Sequence, residues 1–476
     1  MKLVTVNHPF RYETEKLSRE FFPESGIEVS DDVCAENAVI TEIDGDEISV
    51  RFDGDERRQN VGGVTDKNDL ERIMAQLLYS LLSEKTGIYP PWGILTGIRP
   101  TKVFRAKENE LGSEKAKEFF KNELFVSDSK TDLVQSVTDA QRNIIGLSGK
   151  NSMSLYISIP FCPTRCSYCS FISHSFESAK KLIPEYVEKL IDEIKYTGEI
   201  AKELSLKLET VYYGGGTPTT LSAQQLKLIE DAVEESFDLS GLREYTVEAG
   251  RPDTVTEEKL DVLKNSGVTR ISINPQTFNN EVLKVIGRRH TAEETEKAFL
   301  LAREKGFDNI NMDLIAGLPT DTVQSFEKTL EKTLSLSPEN VTVHTLAIKR
   351  SSSMGMTSSD ISQAKTAEKM LSLAQKGLCA DYFPYYMYRQ SKSLSNLENV
   401  GWCRSGKEGL YNIYMMEETH SVFSCGAGAV TKLKAPDGEE IERIFNFKYP
   451  FEYIKDYGEL ISRKQRIKEF YKTYTY

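Results

Sequence analysis

"IPFCPTRCSYCSF", residues 159–171, places Cys162, Cys166 and Cys169 on one short, proline-containing turn of a chain with only seven cysteines. The residues leading into it, "SLYISIP" (154–160), read as a β-strand, so the thiols sit at a strand's carboxyl end. Four explanations compete for a C-x₃-C-x₂-C loop. Unrelated core cysteines seldom cluster in this way. Structural zinc needs four ligands, commonly as paired C-x₂-C units, and Cys379, Cys403, Cys425 or His174 would have to supply the fourth. A redox pair of Cys166 and Cys169 leaves Cys162 without a task. The remaining reading is a [4Fe–4S] cluster held by three thiolates, which leaves one iron open to a ligand.

Beyond the loop, short β-rich runs alternate with helical ones. "ETVYY" (209–213), "EYTVEA" (244–249), "VTRISI" (268–273), "INMDLI" (310–315) and "VTVHTL" (341–346) follow the first strand. Between them lie amphipathic segments such as 184–204, with Val187, Leu190, Ile191 and Ile194 at helical spacing. Strand alternating with helix predicts an α/β fold with a parallel sheet of right-handed βαβ units. Six units fall short of the eight in a closed barrel, leaving a partial barrel or an open doubly wound sheet.

Sites in such sheets form beyond the carboxyl ends of the strands. The first strand runs into the cysteine loop and the second into "GGGTP" (214–218). The third ends at Glu248, and the fourth is followed by "NPQTF" with Gln276. The fifth carries Asp313 before "GLP", and the sixth ends near Ala347. The glycines of "GGGTP" have a bland reading as a tight strand-to-helix turn. Beside a cysteine loop they also let backbone groups approach an amino-acid-like ligand.

Residues 1–150 read as an α+β domain. "NAVITEIDGDEISVRFDGDE" alternates around two Gly-Asp turns, and 69–85 switches to helical spacing. After 378 the regularity fades, and 379–476 is read as a C-terminal domain capping the site. With 28% charged residues, 39% hydrophobic residues and a net charge of −12, the chain has ordinary soluble composition and no general attraction for nucleic acid or anionic membrane. No stretch has the roughly 20 apolar residues of a membrane span, and the first residues lack a signal peptide's apolar core. Few, odd-numbered cysteines fit a reducing cytoplasm. A monomer is expected.

The motifs as a set resemble the radical S-adenosylmethionine (SAM) enzymes. "YISIPFCPTRCSYCSF", "VYYGGGTPT", "INPQTFN", "IGRRHT" and "MDLIAGLPT" are similar to the oxygen-independent coproporphyrinogen III oxidase group. "GILTGIRPTK" in the first 150 residues is most like its HemZ branch, described as coproporphyrinogen dehydrogenase. The resemblance spans about residues 150–430 and implies a partial (β/α)6 radical SAM barrel over 151–378.

It also implies roles for individual residues. Cys162, Cys166 and Cys169 bind the cluster, whose open iron chelates SAM. Gly215, Gly216 and Thr217 contact its methionine part, Glu248 accepts hydrogen bonds from ligand hydroxyl or amino groups, Tyr168 flanks the adenine and Ala347 lines its pocket. Tyr156, Gln276, Arg288 and Asp313 match further site positions, with Tyr156, Arg288 and Asp313 also assigned to catalysis. Arg288 suits a carboxylate through its planar fork. The implied reaction is oxygen-independent oxidative decarboxylation of coproporphyrinogen III to protoporphyrinogen IX by a 5′-deoxyadenosyl radical, in haem biosynthesis. The implied partners are the porphyrinogen, a reducing donor such as flavodoxin or ferredoxin, and an unidentified electron acceptor.

Two positions depart from the oxidase pattern. Phe171 stands where the best-known oxidases have a further cysteine, and Ser158 replaces the histidine of "Y-x-H-I-P-F-C". The related haem-chaperone branch, which binds SAM and haem without decarboxylating, also has Phe at the first of these. Against that branch, there is no "HNxxYW"-type stretch near "YNIYMMEETHSVFSCGAG", so a haem-ligand role for His420 is unsupported. Cys403 and Cys425 are either assistants at the substrate site or small buried residues. A radical SAM enzyme acting on RNA is disfavoured by the acidic balance.

Overall fold

Six runs of β-branched and aromatic residues form six parallel strands, in a computed structural model that describes residues 1–22, 26–32, 35–169, 174–347, 360–390 and 393–474. They are β1 (Ser152–Ile159), β2 (Lys207–Gly215), β3 (Glu244–Glu248), β4 (Arg270–Ser272), β5 (Ile310–Ala316) and β6 (Asn340–Thr345). Each pairs in parallel with the next in sequence, as βαβ crossovers require. This is the partial barrel that the resemblance implied, one of the two forms the alternation left open.

The strands alternate in character, and that alternation makes two different faces. Met153, Leu155 and Ile157 of β1, Val211 and Tyr213 of β2, and Val247 of β3 join one apolar core with the crossover helices. Helix Ile183–Glu203 contributes Ile183, Val187, Leu190 and Ile194, all at helical spacing. The intervening positions are polar or phenolic: Tyr156, Tyr212, Glu248, Ser272, Asp313 and His344. Apart from Ser272 these side chains are only half-buried, so this face is not closed over as the apolar one is.

Side chains at the helix starts fix where the crossovers turn. Ser222 and Gln225 form a capping box on helix Ala223–Ser236, and Thr291 with Glu294 repeats it on helix Ala292–Glu304. Thr256 and Thr322 cap two further helices with the side chain alone, accepting the Lys259 and Ser325 N–H groups.

Residues Asn399–Tyr476 belong to the same compact unit as the barrel. The strands β7 (Phe383–Arg389), β8 (Glu398–Cys403), β9 (Ser421–Cys425), β10 (Val430–Lys434) and β11 (Ile441–Phe445) extend the sheet to the order β7-β8-β6-β5-β4-β3-β2-β1-β9-β10-β11. β9 runs parallel to β1 over five residue pairs, whereas β8 is antiparallel to β6. Helix Tyr457–Tyr474 adds Leu460, Ile467, Phe470 and Tyr471 to the barrel core. A buried ion pair, Lys464 to Glu193 at 3.0 Å, ties this helix to Ile183–Glu203. Tyr453, Asn446 and the Gly426 N–H also donate to Glu193, at 2.6, 2.8 and 2.7 Å.

The other compact unit is Met1–Asp139, with 360–365 and Met387–Glu398 counted to it. Its sheet pairs Lys2–Val6 in parallel with Glu28–Ser30 and Ala38–Asp44, and continues antiparallel through Glu47–Phe52 and Asp55–Asn60. The two Gly-Asp turns thus make a meander of three strands. Helices Arg11–Phe21 and Lys67–Thr86 cover it with Leu17, Phe21, Met74, Leu78 and Leu81.

Candidate active site

The cysteine loop is fastened from three sides by backbone. Gly216 N–H donates to Ile159 O at 2.8 Å and Thr217 N–H to Phe161 O at 2.7 Å, so "GGGTP" holds the entry of the loop. A Cβ on Gly216 would lie 2.6 Å from Phe161 O and 2.8 Å from Ile159 O, which no side chain tolerates. Gly215 has φ +99°, a conformation that favours glycine. On the far side Ser167 N–H donates to Ile286 O at 3.0 Å and Thr164 Oγ1 to Gly287 O at 3.1 Å. Cys169 N–H closes the loop on Cys166 O at 3.1 Å.

No disulfide joins the three loop cysteines; Cys166 is buried, Cys162 and Cys169 half-buried. Thr217 Oγ1 lies 3.5 Å from Cys162 Sγ. Cys166 is flanked by two buried guanidiniums. Arg251 Nη1 is 3.9 Å from its sulfur, and Arg288, interacting with the same cysteine, is only 8% exposed.

Arg288 donates from Nη1 to Asn274 O at 2.8 Å and from Nη2 to the Tyr168 hydroxyl at 3.2 Å. The fork expected to grip a carboxylate is therefore engaged within the protein, while the buried Nε carries no partner. Gln276 sits at φ +64°, wedged beside β5 by its N–H on Asp313 O (2.9 Å) and its carbonyl under Ile315 N–H (3.0 Å). Its side-chain Oε1 is buried without a partner.

On the polar face, Tyr156 and Tyr212 occupy paired register positions of β1 and β2, and their rings stack at 6.2 Å. Tyr411 completes a trio, 4.4 Å from Tyr212 and 6.1 Å from Tyr156. Glu244 positions Tyr411 by accepting the Leu410 and Tyr411 N–H groups at 2.6 and 3.3 Å, at the start of helix Leu410–Glu417. Tyr212 donates to Glu248 Oε1 at 2.6 Å.

The two carboxyls here are held in different states. Burial pushes Glu248 up to about 7, with the Asp313 charge adding to the rise and Tyr212 and His344 opposing it. Burial acts in the same direction on Asp313, but His344 at 3.7 Å, Asn311 at 2.8 Å and Thr342 outweigh it and leave its carboxyl below the ordinary value. One group is poised near neutrality and the other is fixed as an anion. Ala347, half-buried, is the last described residue beyond β6.

Residues 156–333 match the model of the radical SAM superfamily. Over 413 residues the chain is 40% identical to the oxygen-independent coproporphyrinogen-III oxidase-like protein HemZ of Bacillus subtilis (strain 168), covering 84% of this chain and 82% of that protein. The chain belongs to the radical SAM superfamily, among the coproporphyrinogen III oxidase-like proteins. It is also 32% identical over 334 residues to the heme chaperone HemW of the same organism, covering 67% of this chain and 82% of that one. The solved structure of coproporphyrinogen III oxidase (HemN) from Escherichia coli superposes with a TM-score of 0.50 at 22% identity, over 68% of this chain and 72% of that one. That likeness bears on the fold.

Radical SAM proteins use a [4Fe–4S] cluster and SAM. The residues present fit both groups. Three unbridged thiols share a loop with two guanidiniums behind the central one, and buried polar atoms on Gln276 and Arg288 lack partners, as a site for a polar ligand requires. Among the described residues no three Cys, His, Asp or Glu side chains are arranged to hold a single metal ion. A cluster makes a different demand, because each thiolate takes its own iron.

Sequence reasoning missed Tyr212, Tyr411, Asn274 and Arg251. Tyr212 was visible in "VYYGGG" as the residue two before the glycine beside Glu248. Tyr411 had no local signal, since it reaches the site from a helix far along the chain. Phe171, the departure from the oxidase pattern, lies outside the described residues. Ser158, the other departure, donates to Ala427 O at 2.8 Å and so serves the β1–β9 junction.

Proposed function

We propose that the protein carries out the oxygen-independent oxidative decarboxylation of coproporphyrinogen III to protoporphyrinogen IX, a step of haem biosynthesis. The observation that carries this reading is the polar face, where Tyr156 of β1, Glu248 of β3 and Asp313 of β5 lie on the sheet whose first strand runs into the three-cysteine loop. Similarity to HemZ over most of both chains supports it.

In this reading Cys162, Cys166 and Cys169 hold the cluster, and Gly215, Gly216, Thr217, Tyr168, Glu248, Gln276, Arg288, Asp313 and Ala347 surround SAM. When bound, these groups supply a carbon radical able to take a hydrogen atom from an unactivated carbon. The protein's own residues bind and orient. Gln276 Oε1 and Arg288 Nε offer an acceptor and a donor to polar groups of the ligand. Glu248, poised near neutrality, accepts from ligand hydroxyl or amino groups when ionised. Asp313 stays anionic and fixes a cationic or donor group. The tyrosine trio supplies a flat, largely dry wall beside them, which limits competing reactions with water.

An electron donor of the flavodoxin or ferredoxin type and a separate electron acceptor complete the proposed cycle. A monomeric, cytoplasmic protein accords with this role. Among the described residues no helix is long and apolar enough to cross a membrane.

The similarity to HemW favours a second reading, a haem-binding chaperone on the same scaffold. His420 does not serve it as a haem ligand. Its two ring nitrogens are engaged by Ser148 and Ser154, each at 2.7 Å, and it is 4% exposed. Cys403 and Cys425 are likewise fully buried, Cys425 within the barrel core.

Anaerobic incubation of the reconstituted protein with SAM, reductant and coproporphyrinogen III, followed by mass spectrometry, tests the proposal. Conversion to mono- and divinyl products, lost in Cys166→Ala, supports the decarboxylase. Bound cluster and SAM with tight haem binding and no turnover, under conditions where an authentic oxidase works, moves the assignment to haem transfer.

A further inference from the structure

Arg251 has no role in the reading above, yet it is among the most constrained charges in the molecule. It follows β3 in "GRPD" and is 3% exposed. Asp253 grips it through two parallel bonds, Nε to Oδ1 at 3.0 Å and Nη2 to Oδ2 at 3.1 Å. Its own backbone is held by Thr254, whose N–H and hydroxyl both donate to Arg251 O, at 2.9 and 2.7 Å. With one edge of the guanidinium fixed, the free edge is directed at the cysteine loop. Nη1 lies 3.1 Å from Thr164 Oγ1, 3.4 Å from Thr164 O and 3.9 Å from Cys166 Sγ.

A buried guanidinium is costly unless matched by anions, and one edge is already matched by Asp253. The free edge faces a sulfur that becomes a thiolate when it ligates iron. The neighbouring charges allow that pairing to act alone. His290, 3.8 Å from Asp253, is buried with neither ring nitrogen partnered, and burial with Arg288 and Arg251 nearby drives it down to about 3. It is therefore neutral and does not compete for Asp253. Arg288 is the other cation facing Cys166, and its Nη groups are committed to Asn274 and Tyr168.

We propose that Arg251 is a positioning residue of the iron–sulfur site that donates to the Cys166 thiolate and raises the cluster's reduction potential. This rests on the cluster reading of the three cysteines. A donor on a ligating sulfur withdraws charge from the cluster, and a fixed positive charge in a dry setting favours the reduced state, which carries one more electron. Both effects have the same sign. Asp253 serves by holding the donor edge toward sulfur.

The test compares full-length wild-type protein with Arg251→Met, Arg251→Lys and Asp253→Asn, each reconstituted anaerobically. Iron content, the potential of the cluster by titration, and the electron paramagnetic resonance spectrum of its reduced form are read. The expected result for Arg251→Met is a lower midpoint potential and a changed spectrum in the clusters that assemble, with Arg251→Lys restoring part of the shift. Asp253→Asn, which loosens the donor edge but also removes a carboxylate charge, changes the spectrum in the same way by less. If Arg251→Met assembles no cluster, Arg251→Lys decides by the same readings, with a potential below that of wild type. Clusters with wild-type potential and spectrum, whatever their yield, overturn the proposal and reduce Arg251 to a structural tie on the loop. Failure of the cluster reading is separable, because it appears in wild-type protein as absence of four-iron incorporation.

Discussion

Tyr212 donates its hydroxyl hydrogen to Glu248 at 2.6 Å, and that one bond opposes the burial that pushes Glu248 up to about 7. Tyr212→Phe removes it and drives the carboxyl further into its neutral form. If the anion is what the ligand needs, affinity for SAM at pH 7 falls about tenfold, the worth of one bond to a charged group. Raising the pH to 8.5 restores part of the loss. Equilibrium dialysis at the two pH values reads this, and equal affinity in both proteins at pH 7 refutes it.

The Gly216→Ala variant places a methyl against the backbone of Phe161 and Ile159. Backbone cannot rotate aside as a side chain can, so the loop has to move. A loss of about 3 kcal/mol or more is expected, within the range of severe overpacking. Reconstituted protein should then carry little iron while the Met1–Asp139 unit keeps its secondary structure. Full iron incorporation in this variant contradicts the account of "GGGTP" as the clamp on the cysteine loop.

Lys464→Met leaves Glu193 without its ion partner, in a place where both groups are at most 1% exposed. Breaking a buried pair from one side costs about 3–5 kcal/mol. The urea midpoint of the barrel unit should fall accordingly. Glu193→Gln combined with Lys464→Met should recover part of that fall, since no uncompensated charge remains. A double variant no more stable than the single one argues against the pairing as the cause.

His420 gives the chain an acid sensitivity whose sign is fixed by its burial. Desolvation pushes it down to about 4 in the folded protein, against about 6.5 in an unfolded chain. The folded state therefore resists protonation. The stability tied to the neutral ring is full above pH 6.5 and is lost as the pH falls toward 4, by about 3 kcal/mol. His420→Gln should show a flatter decline of the urea midpoint between pH 7 and 4, with SAM binding retained. Parallel declines in the two proteins remove His420 as the source.

How much of this was legible in the sequence depended on how local its causes are. The six parallel strands were readable because each is a short β-branched run between turn residues, and helix Ile183–Glu203 because its apolar spacing is self-contained. β9 was not: "SVFSC" is a five-residue run beside "GAG", and only its pairing with β1 makes it a strand. The same applies at the site. Cys162, Cys166 and Cys169 announce themselves by spacing, Glu248 and Gln276 by their place at or just past strand ends, and Asp313 as a carboxylate inside an apolar strand before "GLP". Arg251 reads as part of a turn until Asp253 and the cysteine loop are seen around it. Tyr411 reads as helix until Glu244 brings it against Tyr212. The positive φ of Gln276 shows in no pattern of neighbouring residues, because it is imposed by bonds to β5.

The pairing of β1 with β9 also sets an order in time. Ser154 meets His420 across 266 residues of chain, so the strand that delivers the cysteine loop gains its second neighbour only when nearly the whole polypeptide has left the ribosome. Until then β1 has one unpaired edge. A chain that stops before β9 keeps the bonds from Gly216, Thr217, Ile286 and Gly287 around the loop but carries it on a strand paired along one edge only.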